Sequence, residues 1–252
     1  MTSTIYVNNE QFIAGTTLKD ELAPDQFNMG LHVTSDPQAV INNRRQLAAS
    51  LNCSINQLVC TNQTHSANFY KVSKSDLGKG ATDLQTAIPN TDALYSFESG
   101  IILTSFSADC VPVILYSEGD GVIGVVHSGW QGTVKEITFK LLTHLQQVES
   151  CDLSKINILI GTALSQDKFE VDVDVYNQFK ALGYADHFMY FKEETRKYHI
   201  DNQQTVKKQC MLAGVPEQNI SVDTTCTFLR QDGFSYRQDK NAGRHCSFIM
   251  KK

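Results

Sequence analysis

Three side chains in this sequence have the types and placement to hold one metal ion: His65, Cys110 and His127. Cys110 closes a tight Ala108-Asp109-Cys110 turn at a strand edge. His127 lies just past a later strand, and His65, in Gln63-Thr64-His65-Ser66, follows a strand end around residues 58–60. Neighbouring strands bring such terminal residues to one end of a sheet. One thiolate and two imidazoles fit a tetrahedral Zn²⁺ with a fourth position open, the ligand count of a catalytic site rather than a structural one. An open position lets bound water lose its proton near neutral pH and become a nucleophile. Copper is the alternative metal, since one Cys and two His also hold it. Without a metal, Cys110 and His127 would form a nucleophile and base, a pair that leaves His65 without a task.

The elements around these residues set their positions. Strand patterns at 101–106, 112–116 and 122–126 flank the Cys110 turn and lead into His127-Ser128-Gly129-Trp130-Gln131-Gly132. A helix is predicted over 133–148, with Thr133 and Glu136 as a capping box and Val134, Ile137, Leu141, Leu145 and Val148 as its buried stripe. Gly129 and Gly132, just before that helix, would let a substrate approach backbone N–H groups and seat an anion at the positive helix end. Trp130, the single tryptophan, either stacks on a base or anchors the loop. A helix from Pro37 to about residue 51 has Ser35 or Asp36 as its cap. Arg44 falls in the middle of its apolar face, an odd place for a charge.

Further on, the pattern predicts a strand over 156–160 and a helix over 175–182 ended by Gly183. A capped helix runs from near Asp201 to Gly214, with Gln204 at its third position, and strands follow at 220–222 and 246–250. The mixture implies an α+β fold with mixed sheets covered by helices. No repeat or linker interrupts the 252 residues, so one domain over 1–252 is expected.

Bulk properties narrow the function classes. A net charge of −5 argues against a nucleic-acid or anionic-membrane surface, both of which want a basic face. The N-terminus lacks the charged and apolar regions of a signal peptide, and the apolar runs are too short to span a bilayer. A cytoplasmic protein is expected. Its seven scattered cysteines then read as free thiols.

An ordered set of segments carries a family resemblance over nearly the whole chain. It comprises Asn28-Met29-Gly30-Leu31-His32-Val33, Asn43-Arg44-Arg45, Gln63-Thr64-His65, Ala108-Asp109-Cys110-Val111-Pro112 and His127-Ser128-Gly129-Trp130-Gln131-Gly132. Phe169-Glu170-Val171 with Asp174-Val175, Tyr198-His199-Ile200-Asp201, Gly214-Val215, Cys226-Thr227-Phe228, Phe234-Ser235-Tyr236-Arg237 and Gly243-Arg244 complete it. Together they resemble the polyphenol oxidase or laccase-domain family, now described as zinc-binding purine nucleoside phosphorylases with adenosine deaminase activity.

The resemblance implies a four-layer α/β/β/α sandwich, shared with a bacterial toxin class of cysteine hydrolases, and His65, Cys110 and His127 as zinc ligands. It implies purine nucleosides and phosphate as partners: phosphorolysis of adenosine, inosine, guanosine and methylthioadenosine, and deamination of adenosine. Asp109 or Glu170 would carry protons, or else serve as ligand-orienting or solvated carboxylates. Substrate and phosphate candidates on the matching segments are Asn28, Arg44, Gln63, Gln131, Arg237 and Arg244. Arg44 and Arg237 lead for phosphate because a guanidinium fork suits its oxygens.

The sequence departs from the family pattern at Gln131 and Gln238, where basic residues are usual, and at Thr34, where Gly is common. Lost cations would tilt phosphorolysis toward deamination. The rivals are copper-dependent phenol oxidation, a metal-free Cys110/His127 hydrolase, and a binding module that has lost its chemistry. A multicopper oxidase needs many paired histidines, and this chain has seven with no His-x-His.

Overall fold

The structure is a computed structural model and describes residues 2–252. Two sheets face each other. The first contains β1 (Ser3–Asn8), β2 (Phe12–Thr17), β3 (Leu58–Val59), β6 (Ile102–Ser107) and β14 (His245–Lys251), in the order β1-β2-β14-β6-β3. The second contains β4 (Phe69–Lys71), β5 (Ala93–Ser96), β7 (Val111–Tyr116), β8 (Ile123–Ser128), β9 (Asn157–Ile160) and β13 (Ile220–Val222), in the order β13-β9-β7-β8-β5-β4.

Side-chain alternation builds the layers, because successive residues of a strand point to opposite faces. Phe12, Ala14, Leu103 and Ile249 of the first sheet meet Leu94, Ile114, Ile123 and Val125 of the second in one buried cluster. On the outer face of the first sheet, Cys246, Phe248 and Met250 pack against Leu47, Ala48 and Leu51 of α1 (Pro37–Ser50) and its C-cap. On the outer face of the second, Val111, Val113, Leu115, Ile158 and Ile160 pack beneath α3 (Ile137–Gln147) and α5 (Asn202–Ala213). The order is helix, sheet, sheet, helix, the α/β/β/α sandwich that the resemblance implies. A three-stranded sheet of β10 (Glu170–Val171), β12 (Lys197–Ile200) and β11 (Met189–Lys192) joins α4 (Val173–Lys180) beside these layers.

Local capping chemistry reads as expected in two helices. The Asp36 carboxylate accepts from the Ala39 N–H ahead of α1, with Pro37 in the first turn. The Asp201 carboxylate accepts from the Gln204 N–H ahead of α5, which ends at Gly214 with φ 115°. That left-handed turn costs glycine nothing.

One expectation is corrected. The helix expected over 133–148 is two helices, α2 (Trp130–Val134) and α3, broken where Glu136 takes φ 61°. No capping box forms: the Thr133 hydroxyl lies against Ser128 and Gly129, and the Glu136 carboxylate accepts from the Tyr184 hydroxyl. The three central strands divide between sheets. β6 belongs to the first and β7 and β8 to the second, so the chain crosses the sandwich through Ala108, Asp109 and Cys110. Every residue of β6 is buried, and so are all but the last of β7, so both are central strands and pairing rather than burial decides which sheet each joins.

Candidate functional site

Four adjacent strands of the second sheet each present one residue at the same end. Antiparallel register sets Val111 opposite Ser128 and Pro112 opposite His127, so Cys110, just ahead of β7, lies beside the end of β8. Ala93 pairs with Val126, which brings Asp92 alongside His127. β4 runs parallel to β5 with Phe69 opposite Ala93, and the loop before it carries His65. The donor atoms of His65, Cys110 and His127 all lie within 4.8 Å of one another. Among the described residues, no other group of three or more His, Cys, Asp or Glu side chains could hold a metal ion.

Asp92 ties the cluster together, and no feature of the sequence marked it beforehand. Its side chain is wholly buried. It accepts from the backbone N–H groups of Thr64, His65 and Ser66 at 3.1, 3.1 and 2.7 Å and from the Ser66 hydroxyl at 2.7 Å. It also lies 2.9 Å from His127 Nδ1. A carboxylate there fixes the His127 tautomer and leaves Nε2 for a metal. The available signal was chemical: a buried histidine ligand needs a partner for its second nitrogen. The loop that Asp92 grips holds His65 at φ 57°, and Asp109 is held at φ 83°, so two non-glycine residues of the site occupy the left-handed region.

Charges within the cluster reinforce one another. Burial pushes the Cys110 thiol up, but the His127 and His65 imidazoles more than offset it and hold it at about 6. Burial pulls His127 down, but Cys110 and Asp92 lift it to about 9. Burial likewise opposes ionisation of Asp92, and hydrogen bonds from His127 and Ser66 bring it to about 2. A thiolate and two imidazoles in mutual reach, one with its far nitrogen already occupied, form a donor set that fits a tetrahedral metal with one position free. Gly129 makes room for them: a Cβ there would meet His65 Cδ2 at 2.6 Å and Cys110 Sγ at 3.0 Å.

The cluster stands at the junction of two cavity lobes of about 450 and 470 Å³, both bordered by His65, Cys110, Trp130 and Tyr236. The first lobe contains Asp109, Glu170 and Arg237 beside Phe169; the second contains His32, Gln63, Gln131, His127 and Arg244.

Within these lobes, several candidates have protein partners of their own. Asp109 accepts from the Thr227 hydroxyl and the Arg237 N–H, so it orients two loops. Both Nη atoms of Arg237 donate to the Glu170 carbonyl at 3.1 Å. Gln63 clasps both backbone groups of Phe106 at 2.7 Å, stitching the site to the first sheet. Arg244 Nη1 donates to the carbonyls of Ala242 and Gly243, and its Nε and Nη2 have no partner among the described residues.

Arg44 and Asn28 are corrected as phosphate or substrate ligands. Arg44 is 2% exposed and borders neither lobe. Its guanidinium donates to the carbonyls of Met29, Gly80 and Ala81 and stacks over Phe106. It therefore joins α1 to two loops, which explains a charge on an apolar helix face. Asn28 is buried, and its Oδ1 accepts from the N–H groups of Gly30 and Arg244. Gln238, one of the departures, donates to the Phe228 carbonyl and also borders neither lobe. Thr34 has φ −114° and needs no glycine.

The chain is similar to known proteins over nearly its whole length. The family model described as multi-copper polyphenol oxidoreductase laccase matches residues 16–252. The purine nucleoside phosphorylase YlmD of Geobacillus stearothermophilus is 36% identical over 229 residues, 90% of this chain and 84% of that protein. The purine nucleoside phosphorylase YlmD of Bacillus subtilis is 32% identical over 251 residues, 97% of this chain and 90% of that protein. The crystal structure of the hypothetical protein YfiH of Bacillus licheniformis superposes with a TM-score of 0.91 at 31% identity, over 96% of this chain and 93% of that one.

Proposed function

From its membership of the laccase-like polyphenol oxidoreductase family, to which this chain belongs, we propose that it is a zinc-dependent purine nucleoside phosphorylase that also deaminates adenosine. The observation that carries this reading is the His65, Cys110 and His127 cluster at the meeting point of two lobes of different chemistry. Relatives named purine nucleoside phosphorylase support the phosphorolytic half.

His65, Cys110 and His127 would hold the metal, which would supply Lewis acidity to the site. The chain's own residues do the rest. Asp92 holds His127 and the His65 loop in place. In the second lobe, Arg244, whose Nη1 alone is engaged with protein carbonyls, would receive an anion, and His32 and Gln131 line the same lobe. In the first lobe, Trp130 and Phe169 offer flat apolar faces to a purine, and Glu170 is placed to move a proton to or from it. Gln131 stands where a cation is usual, so phosphate affinity rests mainly on Arg244. Copper-dependent phenol oxidation is the second reading, favoured by the family's description. A multicopper oxidase requires further histidine clusters, and the described residues contain a single group of three donors.

Metal analysis of the purified chain beside His65→Ala and Cys110→Ala, with adenosine products separated with and without phosphate, tests the proposal. About one zinc per chain, lost together with turnover in both variants, is the expected result. Adenine appearing only with phosphate marks phosphorolysis, and inosine marks deamination. Turnover that survives His65→Ala but not Cys110→Ala would transfer the chemistry to a cysteine nucleophile.

A further inference from the structure

Behind the first lobe lies a histidine to which neither the ligand cluster nor the proposed chemistry assigns a role. His199, on β12, is 2% exposed. Its neighbours arise from sheet pairing: β12 runs antiparallel to β10, with His199 opposite Glu170, and antiparallel to β11, with His199 opposite Tyr190. The Tyr190 ring lies flat on the imidazole, 4.9 Å between centroids and 5° between planes. His199 Nδ1 is 3.1 Å from the Gln166 carbonyl oxygen. A carbonyl only accepts, so Nδ1 carries a hydrogen. Nε2 is buried without a hydrogen-bond partner, and the nearest charged group is Glu170 Oε1 at 3.6 Å.

This arrangement has one proton too few if His199 is neutral and Glu170 ionised. The Nε2 lone pair would then face a carboxylate oxygen, two acceptors with nothing between them, inside a largely buried site. One added proton removes the conflict, either as imidazolium donating to carboxylate or as carboxylic acid donating to imidazole. A modest shift of the Glu170 side chain, which is 34% exposed, closes 3.6 Å to hydrogen-bond length. The remaining groups facing the pair do not supply that proton. The Tyr190 hydroxyl donates to Asp167, and the Arg237 guanidinium is engaged with the Glu170 carbonyl rather than its carboxylate.

We propose that His199 is a positioning residue that shares one proton with Glu170, so that Glu170 meets the substrate as a proton donor at the wall of the first lobe. The inference rests on the reading of this site as a nucleoside-processing centre. In the step, the Glu170 O–H bond breaks and a bond forms from that hydrogen to the substrate atom gaining negative charge. The O–H electron pair stays on the Glu170 carboxylate, and solvent returns the proton to the pair after product leaves.

Two measurements test it. The first uses side-chain ¹⁵N spectra of the full chain, which distinguish a hydrogen-bonded or protonated Nε2 from a bare one. At neutral pH His199 Nε2 is expected to be protonated or hydrogen-bonded, and Glu170→Ala is expected to convert it to a bare lone pair with Nδ1 unchanged. An Nε2 already bare in the unsubstituted chain, or a spectrum indifferent to Glu170→Ala, would overturn the proposal. The second compares His199→Gln with the unsubstituted chain in steady-state turnover. A fall in kcat of about tenfold with KM within about twofold is expected, less than the roughly hundredfold or more of a lost general acid because Glu170 itself remains; equal kcat would overturn it. Absence of nucleoside turnover by the unsubstituted chain would defeat the functional reading instead, while the spectra would still decide whether the pair shares a proton.

Discussion

The two lobes that meet at the His65, Cys110 and His127 cluster differ in what their walls offer. The first is acidic and aromatic: Asp109, Glu170, Asp172 and Asp174 with Phe169 and Trp130, and Arg237 as its cation. The second has no carboxylate and gathers His32, His127 and Arg244 among amide and hydroxyl side chains. Carboxylates beside flat apolar rings suit a nitrogen-rich ring whose protons must move, whereas a carboxylate-free wall with a guanidinium suits an anion. The contrast arises from the sheets. The first lobe is built from the loops around β10 and α4, and the second from loops between the two large sheets.

The largest effect is expected where the comparison has its hinge. Asp92 serves both lobes because it holds the shared cluster, and Asp92→Ala leaves three backbone N–H groups and His127 Nδ1 without their acceptor. A loss of about 3–5 kcal/mol is expected from breaking a buried charged partnership. Thermal unfolding should register it as roughly a 10 °C drop for a chain of this size, together with loss of bound metal. A variant that melts normally and keeps its metal would show that the lobes do not depend on this carboxylate.

Of intermediate size is the split between the two arginines. Arg244→Ala should raise the phosphate KM by about tenfold or more, the worth of one charge-assisted hydrogen bond, while leaving adenosine deamination nearly unchanged. Arg237→Ala should instead disturb turnover of the nucleoside through Glu170, with the phosphate KM little altered. Equal effects of both substitutions on both reactions would erase the distinction between the lobes.

The smallest effect is a matter of pH at the junction. With metal removed, Cys110 is held at about 6 by its imidazole neighbours. It is a thiolate above that value and a thiol below it, so its alkylation rate should fall as pH drops through about 6, and metal should protect it. A midpoint near 9, the ordinary thiol value, would mean that His127 and His65 do not act on the sulfur.

Much of this site was open to inference from residue types and short-range order. A thiol and two imidazoles of ligand type are visible in the chain, and Asp36 and Asp201 cap their helices through contacts three residues away. Such contacts are local, so composition and spacing suffice to find them. Pairing over long separations decided the rest. Register placed Asp92 beside His127, 35 residues on. It sent β6 and β7, both buried strands, to different sheets. Arg44 sits among carbonyls contributed by loops 15 to 37 residues away, so its odd charge marks an internal junction rather than a phosphate site. His199 faces Glu170 only because β10 and β12 lie side by side. The sequence by itself determined which side chains can bind a metal, cap a helix or fill a core, because those properties belong to single residues and near neighbours. Tertiary structure alone decided which of them meet, because the partner that completes a buried polar group is chosen by strand register and layer packing.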